Sequence, residues 1–327
     1  MTIYEKSCYN KHCFFRLVRL LNSMISFLPS PILLVINCIL ISLNVIVIAT
    51  PMMVLGVFKF LLPFHFVAIT IEKCNYYLYK TWVFDNRVII RLTNNIKWHI
   101  TGDKIPTTKK SCIIISNHIS WLDILFIGCV YKGNVPTTKF FMKHSLIYIP
   151  FAGLACYALG MPFLRRYPKE KLLKNPKLRT KDIETTRAAC KRLIDFPTTL
   201  INFAEGSRYT EEKAKKVRSP YKHLLPPKVA SLGVALSEIG NKVDYIFNNT
   251  FYYPDNHKKA FVDMLKGRVK NVYVNVEIME KTPELEGNYL EDKQYKHEFT
   301  MYVRDLWDKK DKLLDKMHAD YEESLRK

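Results

Sequence analysis

The stretch IISNHISWLDILF, residues 114–126, sets a histidine and an aspartate five positions apart between two apolar runs. The first run, SCIIIS at 111–116, is short, continuous and apolar, as expected of a strand buried on both faces of a sheet. The second, SWLDILFIGCVY, reads as a helix. A strand-to-helix turn is a place where an α/β fold presents side chains to a ligand. His118 and Asp123 stand at that turn and are the first candidates for chemistry.

The pair supports two readings. In one, Ser120 caps the helix and Asp123, three residues on, completes a capping-box spacing with Asp in place of the usual Glu; His118 is then an ordinary loop histidine. In the other, the positive end of the helix favours a neutral imidazole, which can act as a general base. Asp123 then reaches the second ring nitrogen, fixes the tautomer and stabilises the imidazolium once a proton arrives. A substrate hydroxyl can be deprotonated directly, without a serine nucleophile.

Working outward, the chain from Trp82 onward alternates strand and helix patterns. RVIIRL, IKWHITG, KFFM, GMPFL, TTLINFA, VDYIFNNTFYY and NVYVNVEIM read as strands, many of them rich in β-branched and aromatic residues. IETTRAACKRLIDF and PKVASLGVAL read as helices, and a charged helix spans about 293–325. The expected fold class is α/β, with a mixed, largely parallel central sheet covered by helices.

The N-terminal part differs. From Leu20 to Phe58 no residue is charged, a run longer than the roughly 20 residues that cross a bilayer. Pro51 interrupts it and is expected to break or kink a helix. Lys6, Lys11, Arg16 and Arg19 precede the run and Lys59, Lys73 and Lys80 follow it. Positive flanks usually stay in the cytoplasm, which favours a membrane-embedded helical hairpin over a single span. A signal peptide has a shorter apolar region and a small-residue cleavage site, and neither is evident. The expected organisation is a basic segment and membrane helices over residues 1–80, then an α/β domain with a C-terminal helix over 81–327.

Fifty Lys and Arg against thirty Asp and Glu give a net charge of +20, which calls for an anionic partner or surface. The apolar run favours lipid. A nucleic-acid-binding or scaffold protein is the rival class. It predicts aromatic residues interleaved with basic ones on an exposed sheet, a pattern the sequence lacks, so no nucleic-acid partner is expected. The eight cysteines contain no C-x-x-C pair, so no zinc signature is present, and a reducing compartment suits them.

A second turn, AEGSR at 204–208, also follows a buried strand. Gly206 permits a tight turn close to a ligand, where exposed amides can hold an oxyanion. Arg208 can bind phosphate in bidentate fashion. The basic loop EEKAKKVRSPYKHLLPPK, 211–228, is either a solvated charge run or a contact for anionic headgroups.

NHISWLD resembles the H-x4-D motif of the glycerolipid acyltransferases, the lysophosphatidic acid acyltransferase superfamily. GMPFLRR (160–166) resembles its second block, ending at Arg166. NFAEGSR (202–208) resembles its third, with Ser207 where threonine is usual, and MKHSLIYIPFAG (142–153) resembles the segment between blocks one and two, with Lys143 at its lysine. The likeness covers about residues 80–255. The fourth block lacks the usual Val-Pro pair: DYIFNNTFYYPD stands in its place. With LLPPKVASLGVAL before it, this is similar to the YihG-type bacterial branch, related to lysocardiolipin and lysophosphatidylinositol acyltransferases.

The resemblance implies an O-acyltransferase that moves an acyl chain from acyl-CoA or acyl-carrier protein to a free hydroxyl of a lysophospholipid, such as lysophosphatidic acid or lysophosphatidylglycerol. Other lipid acceptors stay open. His118 and Asp123 become the catalytic pair. Arg166 and Arg208 would hold the acceptor's phosphate and Glu205 would help position it. Asn117, Lys143, Gly206, Ser207 and Lys228 complete the expected substrate-binding set. No cofactor or metal is implied, and the thioester donor is a co-substrate. The implied location is a bacterial inner membrane, with the active site on the cytoplasmic face.

Overall fold

The computed structural model describes residues 23–62, 64–131, 133–164, 184–188, 190–191, 196–256 and 258–326. Its centre is a six-stranded sheet formed by β1 (Lys97–Gly102), β2 (Ser111–Ser116), β3 (Thr138–Phe140), β6 (Thr199–Phe203), β7 (Val243–Tyr252) and β8 (Asn271–Met279), in the order β1-β8-β7-β2-β6-β3. β2 pairs in parallel with both β6 and β7, β3 with β6, and β1 with β8; β7 and β8 are antiparallel. The sheet is therefore mixed and largely parallel, as the alternating pattern implies. A separate two-stranded sheet joins β4 (Met142–Lys143) to β5 (Phe163–Leu164).

β2 explains why its sequence is apolar throughout. Ile113 and Ile115 enter one core with α6 (Val229–Ile239) and α8 (Lys293–Arg326). Cys112 and Ile114 enter the opposite core with α3 (Leu122–Tyr131) and α7 (Ala260–Leu265). A strand covered on both faces has no solvent side on which a polar residue is stable.

The N-terminal pair is α1 (Ser30–Leu61) and α2 (His65–Thr93). Cross-contacts run in opposite senses: Lys59 with Glu72, Asn44 with Trp82 and Asn37 with Thr93. The helices are thus an antiparallel hairpin. α1 docks on the α/β domain through Ile48, Ala49 and Met52, which meet Met142, Leu159, Met161 and Ala155 of α4 (Ala152–Ala158). Its other face carries exposed Val35, Ile39, Leu43, Val47, Val54 and Phe58.

Four expectations change in the structure. Of the break or kink expected at Pro51, the break does not occur: α1 runs through it to Leu61 and the chain turns only afterwards. The buried neighbours Ile48, Ala49 and Met52 hold that stretch in place against the loss of one backbone bond. RVIIRL is the end of α2 rather than a strand. Its buried positions Asn86, Ile89, Ile90 and Thr93 follow helical spacing, and packing on that face overrides the local β propensity. The boundary expected at 80/81 falls inside α2, which continues to Thr93. Only α1 is long and apolar enough, among the described residues, to cross a membrane; α2 carries Glu72, Lys73, Lys80, Asp85, Arg87 and Arg91. Part of the expected loop at 211–228 is α5 (Glu211–Val217), capped by the Thr210 side chain on the Lys213 amide. Of the helix expected at 183–196, residues 184–188 and 190–191 are helical, Phe196 is in a bend, and the others lie outside the described residues.

Candidate active site

β2 and β6 are neighbours in register, with Ser116 opposite Phe203. Their C-terminal ends therefore deliver NHIS and AEGSR side by side. In an open α/β sheet this edge is where ligands bind.

His118 leaves β2 with its ring stacked on Phe203 at a centroid distance of 4.1 Å. Its Nδ1 lies 2.8 Å from Asp123 Oδ2. The same oxygen accepts the Ile119 amide at 2.8 Å and the Ser120 amide at 3.0 Å. Asp123 Oδ1 accepts the Tyr253 hydroxyl at 2.7 Å. A carboxylate only accepts, so Nδ1 is the protonated nitrogen and the lone pair of the neutral ring sits on Nε2. Asp123 is fully buried while the His118 side chain keeps 14% of its exposure, so the ring has an open edge. The capping and orienting readings of Asp123 are both realised, by different geometry on one carboxylate. Ser120 adds its Oγ as acceptor for the Leu122 amide at 3.3 Å.

Tyr253 was not legible as a site residue. It follows β7, is buried, and its hydroxyl faces a carboxylate; burial and Asp123 push its pKa well above the tyrosine range. It is a fixed donor to Asp123 at every ordinary pH.

Asn117 is buried and ties β2 to β7. Its amide donates to the Phe251 carbonyl and its Oδ1 accepts the Phe251 amide, both at 2.9 Å. Its contacts are with backbone, so it shapes the turn. Glu205 does likewise. It is 1% exposed, and its Oε1 and Oε2 accept the amides of His118 and Leu225, each at 2.9 Å. Its oxygens are engaged with backbone, and it joins the His118 turn to the 222–225 loop. The Tyr209 amide adds a second tie, donating to the His118 carbonyl at 2.7 Å.

Gly206 has φ of +68°, a left-handed conformation that glycine adopts without strain. Ser207 follows on the same turn. Arg208 is exposed, with its guanidinium 5.2 Å from the Trp121 ring centroid, which brings it over the start of α3. Lys228 is exposed at the start of α6, and its amide donates to the Ala204 carbonyl at 2.6 Å. Lys143 is exposed on β4. Arg166, just beyond β5, lies outside the described residues. The structure thus gathers His118, Asp123, Asn117, Glu205, Gly206, Ser207 and Arg208 around two adjoining turns. No group of His, Cys, Asp and Glu suited to a metal occurs among the described residues.

Residues 97–237 match the Acyltransferase family model. The chain is 29% identical over 190 residues to 1-acyl-sn-glycerol-3-phosphate acyltransferase 3 of Arabidopsis thaliana, covering 54% of this chain and 46% of that one. It is 25% identical over 172 residues to 1-acyl-sn-glycerol-3-phosphate acyltransferase gamma of Homo sapiens, covering 49% and 43%. A crystal structure of the 1-acyl-sn-glycerophosphate (LPA) acyltransferase PlsC from Thermotoga maritima overlays with a TM-score of 0.43 and 19% identity, over 88% of this chain and 98% of that one. Both turns of the candidate site lie inside the stretch that matches the Acyltransferase family model. The likeness to that family lies over residues 97–237, less than half of the chain. It spans about half the length of the curated relatives it matches.

Proposed function

We propose that this protein is a membrane-attached O-acyltransferase that esterifies a free hydroxyl of a lysophospholipid from a thioester donor. The observation that carries the reading is the bond between His118 Nδ1 and Asp123 Oδ2, which leaves Nε2 as the base. Nε2 takes the hydroxyl proton as the oxygen attacks the thioester carbonyl. The tetrahedral intermediate collapses, the C–S bond breaks, and the thiolate takes the proton back from His118. An ester and a free thiol remain. Asp123 carries the imidazolium charge between the two transfers. The Gly206 amide donates to the Phe203 carbonyl at 2.8 Å, so it is not an oxyanion donor in this reading.

Arg208 and Arg166 hold the acceptor phosphate in this reading. Arg208 is exposed and already oriented by Trp121. Lys143 and Lys228 add positive charge for anionic headgroups or donor phosphates. The donor is acyl-CoA or acyl-carrier protein, and lysophosphatidic acid or lysophosphatidylglycerol is the acceptor. The exposed apolar face of α1 is large for a water-facing surface and suits lipid contact. The net charge of +20 supports the same reading, contact with an anionic membrane. A cytosolic donor favours a site on the cytoplasmic face, and the branch resemblance favours a bacterial inner membrane.

The test is an assay of the purified protein in vesicles, with labelled acyl-CoA and acyl-carrier protein and a panel of lysolipids. Donor-dependent formation of diacyl product supports the reading. Thioester hydrolysis alone, with no acceptor consumed, overturns it.

A further inference from the structure

β3 is the last strand of the six-stranded sheet, and Lys139 is its middle residue. A lysine on an edge strand ordinarily keeps its charge in water, where it blocks pairing with another strand. Lys139 is instead 5% exposed. Its side chain makes no hydrogen bond or ion pair with the described residues. A buried ammonium without a partner is costly. Burial lowers the Lys139 pKa; Glu72 opposes the fall and Lys59 adds to it.

The side chain faces a cavity of about 1090 Å³ between the N-terminal hairpin and the α/β domain. Ligand sites commonly hold about 300–1,000 Å³, so the space is ample for a small molecule. Gly160, with φ of +70°, also lines it, and a Cβ there would stand 3.4 Å from Lys139 Nζ. The ammonium therefore reaches the cavity where no side chain intervenes. Much of the wall is apolar: Val57 and Phe60 of α1, Leu154 and Tyr157 of α4, and Phe163 of β5. The first four are exposed, so this wall continues into the exposed apolar face of α1.

The charges around the cavity do not balance. Glu72 is already held by Lys59 Nζ at 2.8 Å. Glu184 is exposed, His144 is half-buried, and neither pairs with Lys139. A buried cation thus points into the cavity with no anion in ion-pair reach among the described residues. A ligand that satisfies both the cation and the apolar wall carries one anionic group on an aliphatic chain. No residue of the NHIS or AEGSR turns lines this space. Lys139 lies opposite Leu200 of β6, three residues before Phe203, on which the His118 ring stacks.

We propose that this cavity is a second lipid site, apart from the acyl-transfer turns, and that it takes an anionic amphiphile. The headgroup, a carboxylate or a phosphate, pairs with Lys139, and the chain lies against Val57, Phe60, Leu154 and Tyr157. A lipid bound there touches α1, α4 and β3 together and ties the hairpin to the α/β domain. Binding here does not depend on acyl transfer, so it can be measured even in protein that transfers none.

The test titrates the purified full chain, in an uncharged detergent, with dodecanoate, dodecyl phosphate, dodecanol and inorganic phosphate. Affinity is read by equilibrium dialysis and stabilisation by Tm. At least one of the two dodecyl anions should bind saturably and raise Tm. Dodecanol lacks the charge and inorganic phosphate lacks the chain, so each should do much less. The tighter anion names the headgroup, a fatty carboxylate or a phospholipid phosphate. Lys139→Met keeps the length and removes the charge; it should weaken anion binding about 10-fold or more, the worth of a hydrogen bond to a charged group. Lys139→Arg should retain most of it. Arg208→Ala, at the proposed acceptor site, should leave it unchanged. Dodecanol binding as tightly as the anions, or loss of anion binding in Arg208→Ala, would overturn the proposal. So would undiminished anion binding in folded Lys139→Met, which would assign Lys139 to guarding the sheet edge. If Lys139→Met does not fold, Leu154→Trp decides, since it keeps the charge and fills part of the cavity: weakened anion binding supports the site, and undiminished binding overturns it.

Discussion

Asp123 receives His118 Nδ1 and the Ile119 and Ser120 amides on one oxygen and the Tyr253 hydroxyl on the other. One buried carboxylate therefore caps a helix, shapes a turn and orients a base. Its substitution should damage stability and activity together, whereas substitution of His118 should damage activity alone.

His118→Ala should lower acyl transfer by about 10²–10⁴-fold, the usual worth of a general base, with little change in Tm. Asp123→Asn should be comparably severe and should also lower Tm, because an amide has one acceptor where the carboxylate has two. Turnover near wild type in purified His118→Ala protein would sink the mechanism.

Tyr253→Phe removes one donor to Asp123 and leaves an acceptor lone pair buried. A destabilisation of about 1–3 kcal/mol is expected from the unsatisfied group. Activity should fall while the acceptor KM stays constant, since Tyr253 touches the carboxylate and not the substrate. A changed acceptor preference in this variant would contradict that placement.

Arg208→Ala and Arg166→Ala should weaken use of the lysolipid acceptor, because a fixed phosphate fixes the attacking hydroxyl. Slow hydrolysis of the donor by water should change much less. Lys at Arg208 should recover only part of the loss, as it lacks the planar fork. Parallel losses in both reactions, with a fall in Tm, would show instead that the arginines hold the loops.

Reporter fusions at residue 10 and at residue 95, past the end of α2, should both report the cytoplasmic side, as a membrane hairpin with basic flanks requires. Val35→Asp or Val47→Asp, on the exposed face of α1, should release the protein from vesicles without lowering Tm. A signal from opposite sides would exclude the hairpin topology.

Asp315 of α8 accepts from Lys222 Nζ at 2.6 Å and His223 Nε2 at 2.9 Å, and these bonds lower its pKa below the ordinary value of 3.8. A depressed carboxylate pKa adds stability above the unfolded value, and that stability is lost as pH falls through the folded one. The effect is small because the pair is exposed. Asp315→Asn should therefore reduce Tm slightly at pH 6 and not at pH 2. An equal deficit at both would mean that the side chain matters for packing rather than charge.

The turn chemistry was written locally. A continuous apolar strand, then N-H-I-S, then a helix could only present His118 at a sheet edge, and Asp123 at capping distance could only point back at it. AEGSR after a second buried strand was legible for the same reason. The two periods, strand and helix, are local properties of the chain, and they set the fold class. What joins across the sheet was not local. Register between β2 and β6 decides that the two turns meet, and register is a property of two strands far apart in the chain. Tyr253 looked like a core residue because its partner lies 130 positions away. The burial of Glu205 and its two backbone amides are likewise set by contacts far along the chain. RVIIRL misled because β-branched residues favour strands only where no helix face is buried, and α2 buries one. Local pattern therefore determined which side chains stand at the sheet edge. Tertiary packing alone decided which of them meet, which are buried, and what charge each one sees.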